Sequence, residues 1–151
     1  MWDWLTVAFF AMLPVVELRG AVPIGLGLGL PHIPVLIVSI LANMIPVPFI
    51  ILGIRHVFRW MRRHSSKLER LVSKLEARAA KKANLVRRYE LLGLYILVAI
   101  PLPGTGAWTG ALVAAVLNLR LKVAFPAVFA GVVTAGLVMY LLSLGVGAVV
   151  G

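Results

Sequence analysis

The stretch Pro101-Leu102-Pro103-Gly104-Thr105-Gly106-Ala107-Trp108-Thr109-Gly110 lies inside an uncharged apolar run from Leu91 to Leu119, a run too long for one membrane crossing. Two prolines and three glycines within ten residues predict a broken helix. Proline removes a backbone donor and clashes with the preceding turn, and glycine carries an entropy cost. Hydrocarbon offers no water to the freed backbone groups, so such a break survives only inside protein or beside a wet cavity. The flanking pieces, Leu91 to Ile100 and Ala107 to Leu119, would each rise roughly 15–20 Å at about 1.5 Å per residue, half of a bilayer core. The expected form is a re-entrant hairpin with its tip near the midplane, the depth at which transporters hold their sites.

The whole chain is composed to match that break. Of its 151 residues, 62% are hydrophobic, and a mean hydropathy of +1.02 predicts an all-α integral membrane protein rather than a soluble domain. Cysteine is absent, which excludes disulfides, thiolate metal sites and cysteine nucleophiles. The histidines His32, His56 and His64 have no ligand-like spacing. With no nucleophile, metal cluster or paired carboxylates in view, neither catalysis nor a cofactor is expected.

The net charge of +10 is concentrated. Twelve of the fifteen Lys and Arg residues fall between Arg55 and Arg88, opposed there only by Glu69 and Glu76. Nucleic acid is not the expected partner, because this block joins membrane segments. The positive-inside rule and attraction to anionic headgroups account for it. Ser66-Lys67-Leu68-Glu69 reads as a capping box opening a helix. Leu68, Leu71, Val72, Leu75, Ala79, Ala83 and Val86 recur at helical spacing beneath a basic face. Neither Glu69 nor Glu76 has a cation three or four positions away, so Arg62, Arg63, Lys67, Arg70, Lys74, Arg78, Lys81 and Lys82 are candidate contacts for lipid headgroups. A helix lying on the cytoplasmic leaflet fits this pattern. A helical hairpin packed on the protein is the alternative.

Upstream, Pro14-Val15-Val16-Glu17-Leu18-Arg19-Gly20-Ala21-Val22-Pro23 is a second interruption within apolar sequence. The preceding segment has no basic leader and is not expected to be a cleaved signal, and Trp2 and Trp4 suit a headgroup belt. Gly25, Gly27 and Gly29 lack the spacing of a dinucleotide fingerprint and are read as close helix packing. Ile33 to Ile54 offers 22 uncharged residues for a crossing, kinked by Pro46 and Pro48, with Asn43 as interhelical glue and a site role as the alternative. Beyond Arg120 and Lys122, Val123 to Val150 offers another crossing.

Charge then sets orientation. With the basic segment cytoplasmic, a fully crossing 91–119 would place Arg120 and Lys122 outside, against the rule; a re-entrant one returns them to the cytoplasm. Residues 1–54 form a first repeat, with a hairpin at 1–30 and a span at 33–54. Residues 55–90 form the basic segment. Residues 91–151 form the second repeat, with a hairpin at 91–119 and a span at 123–150. The two copies have opposite orientation, an inverted repeat whose tips can meet. Met1 and Gly151 are then outside and Asn118 inside. Four plain spans is the competing plan.

Glu17 and Arg19 are the acid and base set within the apolar first half. Each costs about 2.5–3.5 kcal/mol at a helix centre in a membrane, which makes them functional candidates. Their spacing puts them on different faces of a helix, against a simple local pair. Arg19 is read as binding an anionic group and Glu17 as exchanging a proton or holding a cation, with snorkelling or structural pairing as the alternative. At the second break, a helix opening near Ala107 would aim free N–H groups at a cradle of Gly104, Thr105, Gly106 and Thr109. Trp108 either lines that cavity or fills the hairpin.

The motifs Glu17-Leu18-Arg19-Gly20-Ala21-Val22-Pro23 and Pro101 to Gly110 resemble those of the family labelled small multidrug export proteins, over nearly the whole chain. That family is similar in plan to the DedA/VTT superfamily, implicated in moving lipids, including polyprenyl-phosphate carriers, across bilayers. The resemblance implies an inverted-repeat transporter fold in the inner (cytoplasmic) membrane, ion coupling and oligomers, with a homodimer expected. The function expected is transport or flipping of an anionic amphipathic substrate such as a polyprenyl phosphate or phospholipid. One alternative is export of hydrophobic cations with Glu17 as counter-charge; another is a lipid-binding membrane scaffold.

Overall fold

The computed structural model describes residues 1–89, 91–101 and 105–150, with the side chains at 85 and 87 left out. All the regular structure among the described residues is helical: α1 (Trp2–Met12), α2 (Glu17–Gly27), α3 (His32–Met44), α4 (Pro46–His64), α5 (Ser66–Tyr89), α6 (Leu91–Ala99), α7 (Ala107–Val116) and α8 (Leu121–Val150). Two stretches are long and apolar enough to cross a membrane, His32–His64 (α3 with α4) and Leu121–Val150. The helices α1, α2, α6 and α7 have 11, 11, 9 and 10 residues, about 14–17 Å each, well short of a hydrocarbon core.

Both interruptions are present. Between α1 and α2 the break is confined to Leu13–Val16, and Pro23 stays inside α2, so the first break is narrower than the Pro14 to Pro23 stretch. Pro23 leaves the Arg19 carbonyl without its helical donor yet does not end the helix. Between α3 and α4 only Ile45 departs from helix, where Pro46 and Pro48 remove successive donors.

The two short-helix pairs share one layout. The helices α1 and α6 begin at Trp2 and Leu91. Positive φ occurs at Glu17 (49°) and Gly106 (123°), and again at Gly29 (76°) and Asn118 (64°). The long helices begin at His32 and Leu121. Every one of these pairs is 89 positions apart. The ends match as well. After α2, Gly29 N–H donates to the Leu26 carbonyl and Leu30 N–H to Gly25; after α7, Asn118 N–H donates to Ala115 and Leu119 N–H to Ala114. Both are Schellman closures, which need a left-handed residue that Gly or Asn supplies.

Packing repeats the layout. In the first half α1, α2 and α3 are mutual neighbours, in the second half α6, α7 and α8, and α2 and α3 also lie against α8. Gly25, Gly131 and Gly136 sit where backbones approach closely: a Cβ on Gly25 would meet Val35 Cγ1 at 2.6 Å, and one on Gly131 would meet Val98 Cβ at 2.6 Å. Gly27, Gly145 and Gly147 face open space and Gly29 serves the turn, so close packing explains only some of the glycines.

The basic segment departs from a leaflet-lying helix. The helix α4 continues through Arg55 to His64 and turns at Ser65, whose Oγ accepts from Lys67 N–H at 3.3 Å. Ser65 thus takes the capping place assigned to Ser66. The apolar stripe of α5 packs against α4, α6 and α7, with Val72, Ala79, Ala83 and Val86 buried. Glu76, with no cation three or four positions away on its own helix, pairs with Arg62 of α4.

Candidate functional site at the two helix breaks

The two breaks interlock. At the start of α2, Glu17 has a left-handed φ of 49° and is 4% exposed, a conformation that a non-glycine residue adopts at some cost. Its Oε1 accepts the Trp108 backbone N–H at 3.0 Å, and the Ala107 N–H at the same helix end bears on the same carboxyl group. These are among the first N–H groups of α7, which have no partner within the helix and carry the positive end of its dipole. The anion cradle expected there is filled by a carboxylate from the other break. Gly106, the residue before α7, is required twice over. Its φ is 123°, and a Cβ would overlap Glu17 Oε2.

Arg19, one half-turn further along α2, secures the other side of the same break. Its Nη1 donates to the Thr105 carbonyl at 2.8 Å, and its Nη2 to the Ile100 carbonyl at 2.8 Å and to Thr105 Oγ1 at 2.7 Å. Thr105 Oγ1 in turn donates to the Ile100 carbonyl at 2.8 Å. A planar guanidinium is suited to this, because its donors fork at fixed angles toward two acceptors. Trp108 Nε1 donates to the Met12 carbonyl at 3.0 Å, the end of α1. Trp108 therefore fastens one break to the other as well as filling space.

Of the residues expected at the site, Glu17, Arg19, Thr105, Gly106 and Trp108 come together. Thr109 is the third residue of α7, in its first turn, and Gly104 falls outside the described residues. The cations Arg62, Arg63, Lys67, Arg70, Lys74, Arg78 and Lys81 are exposed, away from the breaks, while Lys82 is half-buried. Burial pushes the Lys82 ammonium below the usual lysine range, and the charges of Arg19 and Arg78 add to the effect, so α5 carries positive charge toward the Arg19 side of the site.

Asn43 belongs here too. It is 2% exposed, its Oδ1 has no partner among the described residues, and with Glu17, Arg19, Gly106 and Ala107 it lines a small space of about 10 Å³. That is room for one water, far less than a wet cavity between the tips. Sequence reading favoured interhelical glue over a site role for Asn43; the signal was a lone amide midway along an apolar span, which either reading explains.

Residues 17–138 match the family described as "Putative small multi-drug export protein". The chain belongs to that family. The match begins at Glu17, just after the first break, and takes in α2 to α7, the second break and part of α8. The small multi-drug export family is one of membrane transporters, and the apolar helices agree with a membrane location. No curated protein and no solved structure matches the chain.

Proposed function

We propose that the chain is a transporter or flippase for an anionic amphipathic substrate, such as a polyprenyl phosphate or phospholipid, coupled to protons or sodium through Glu17. One observation carries this reading: the N-terminus of α7 already holds a carboxylate, in an apolar interior, with Arg19 beside it. A seat that holds the Glu17 carboxylate has the chemistry to hold a phosphate. In the proposed cycle the substrate's anionic head displaces Glu17, which takes up a proton or sodium ion as it leaves, and Arg19 turns from the carbonyls to the head.

The proposed architecture is an inverted repeat of re-entrant hairpin plus span in the inner membrane, with the basic segment cytoplasmic and both termini outside. The 89-residue spacing of helix starts and left-handed residues supports it, as does the shortness of α1, α2, α6 and α7. A homodimer is part of the same proposal; Gly145, open near the end of α8, would let a second copy approach closely.

The test is binding and transfer of a labelled polyprenyl-phosphate analogue in liposomes. Arg19→Ala is expected to lose both. Glu17→Gln is expected to keep binding, since its competing carboxylate is gone, and to lose the dependence of transfer on the ion gradient. Loss of anionic-lipid binding in Glu17→Gln with retention in Arg19→Ala overturns the proposal. That result supports the second reading, favoured by the family's description, in which hydrophobic cations are exported against Glu17 as counter-charge. Loss of activity on replacing the cations between Lys67 and Arg88, with both tip variants normal, supports the scaffold reading instead.

A further inference from the structure

A second concavity lies well away from the helix breaks. It is a groove of about 580 Å³ between α4, α5 and the C-terminal end of α7, within the roughly 300–1,000 Å³ of ligand clefts. Arg55, Arg59 and Arg62 line it, at i, i+4 and i+7 on one face of α4. Its floor is apolar, with Phe58 buried to 5% and Val116 beside it. Arg55 donates to the Ala115 and Val116 carbonyls, so it caps α7 and is fixed in place. Arg59 contacts His56 Nδ1 at 3.1 Å, and Arg62 pairs with Glu76, the acid among the lining residues.

The position of the groove along α4 identifies the occupant. The apolar part of the His32–His64 span ends where these arginines begin. Just before the groove, Phe49 and Leu52 are 73% and 63% exposed, as a lipid-facing surface requires, and between its arginines Arg59 and Arg62 in sequence Trp60 is stacked on His64 with ring centroids 4.1 Å apart. An exposed Trp at the end of an apolar span marks headgroup depth. The groove therefore opens at the membrane surface with cations on one wall and an apolar floor, the reverse image of a phosphate carrying acyl chains.

We propose that this groove is a specific binding site for an anionic phospholipid, its phosphate held by Arg59 and Arg62 and the upper part of its chains against Phe58 and Val116. The site is separate from the helix breaks and stands whether or not those carry the substrate. It differs from general attraction to a basic surface, because arginines of α4 line this groove and no lysine of α5 does.

Native mass spectrometry of the purified full chain, with added phosphatidylglycerol or phosphatidylcholine, tests it. The wild type is expected to retain one phosphatidylglycerol in preference to phosphatidylcholine. Arg59→Ala combined with Arg62→Ala is expected to reduce that retention about tenfold or more. Lys67→Ala combined with Lys74→Ala removes the same charge elsewhere and is expected to leave retention unchanged. Glu76→Gln, which takes away the competing acid, is expected to strengthen it and provides a readout if the double arginine variant fails to fold. Millimolar glycerol phosphate is expected not to compete, since it has no chains for the floor. Equal loss in the lysine and arginine variants, no effect of the arginine pair, weakening by Glu76→Gln, or displacement by glycerol phosphate each overturns the proposal.

Discussion

Gly106 holds a φ of 123° and sits so close to Glu17 that a Cβ there would overlap Oε2, while Glu17 itself is left-handed at 49°. Each residue thus fixes the other's conformation across the junction of two helix breaks. Gly106→Ala is expected to lower stability by about 3 kcal/mol, combining backbone strain with the overlap. Adding Glu17→Ala should recover the steric part and leave the strain, a coupling that additive, independent sites would not show. Chemical denaturation of the single and double variants in detergent measures it, and simple additivity would refute the contact. Glu17 and Arg19 stood out as candidates in the sequence because charge is costly in an apolar segment. Their partners were not. Trp108 is 91 positions from Glu17 and Thr105 is 86 from Arg19, and nothing in local spacing says that a carboxylate from one break will cap the helix of the other. The N-terminus of α7 was read as a cradle for a substrate anion; in the structure the carboxylate on it is the protein's own.

At the level of whole helices, the sequence announced its breaks because proline and glycine act locally, and it was weakest where neighbouring chain decides the outcome. Pro23 had the chemistry of a breaker yet lies inside α2, whose contacts with α1, α3 and α8 outweigh one missing donor. The stripe on α5 was visible from its period, but periodicity does not say whether membrane or protein covers it; here α4, α6 and α7 do. Glycines behave likewise. Gly110 and Gly131 both press on Val98, so that a Cβ on Gly131 would lie 2.6 Å from Val98 Cβ and 3.0 Å from the Tyr95 carbonyl, whereas Gly145 faces nothing within 4 Å. The close α6–α8 approach is also tied by the Tyr95 hydroxyl to Thr134 Oγ1 at 2.8 Å. Gly110→Ala and Gly131→Ala are each expected to cost about 1–3 kcal/mol through overpacking. Gly145→Ala should be neutral or gain up to about 1 kcal/mol from helix propensity. Thermal midpoints of the three variants in one detergent decide the matter, and equal effects at Gly131 and Gly145 would contradict the α6–α8 contact.

Across the whole molecule, charge and helix length make one joint prediction about topology. Twelve of fifteen cations lie between Arg55 and Arg88, and Arg120 and Lys122 follow α7. If all of these stay on the cytoplasmic face, α6 and α7 must enter and leave by the same side, which suits helices of 9 and 10 residues and does not suit a crossing. The same reasoning places α1 and α2, of 11 residues each, as a finger from the opposite face. The chain contains no cysteine, so single replacements Trp2→Cys, Ser65→Cys, Asn118→Cys and Val150→Cys can be read without background. In intact spheroplasts a membrane-impermeant maleimide is expected to label positions 2 and 150, and to reach 65 and 118 only after permeabilisation. Four plain spans keep Ser65 inside but invert the other three, with Asn118 labelled from outside and positions 2 and 150 protected. Asn118 is the most informative of these, because its left-handed turn lies between a helix too short to cross and one of 30 residues, and its side of the membrane depends on which of the two made the crossing.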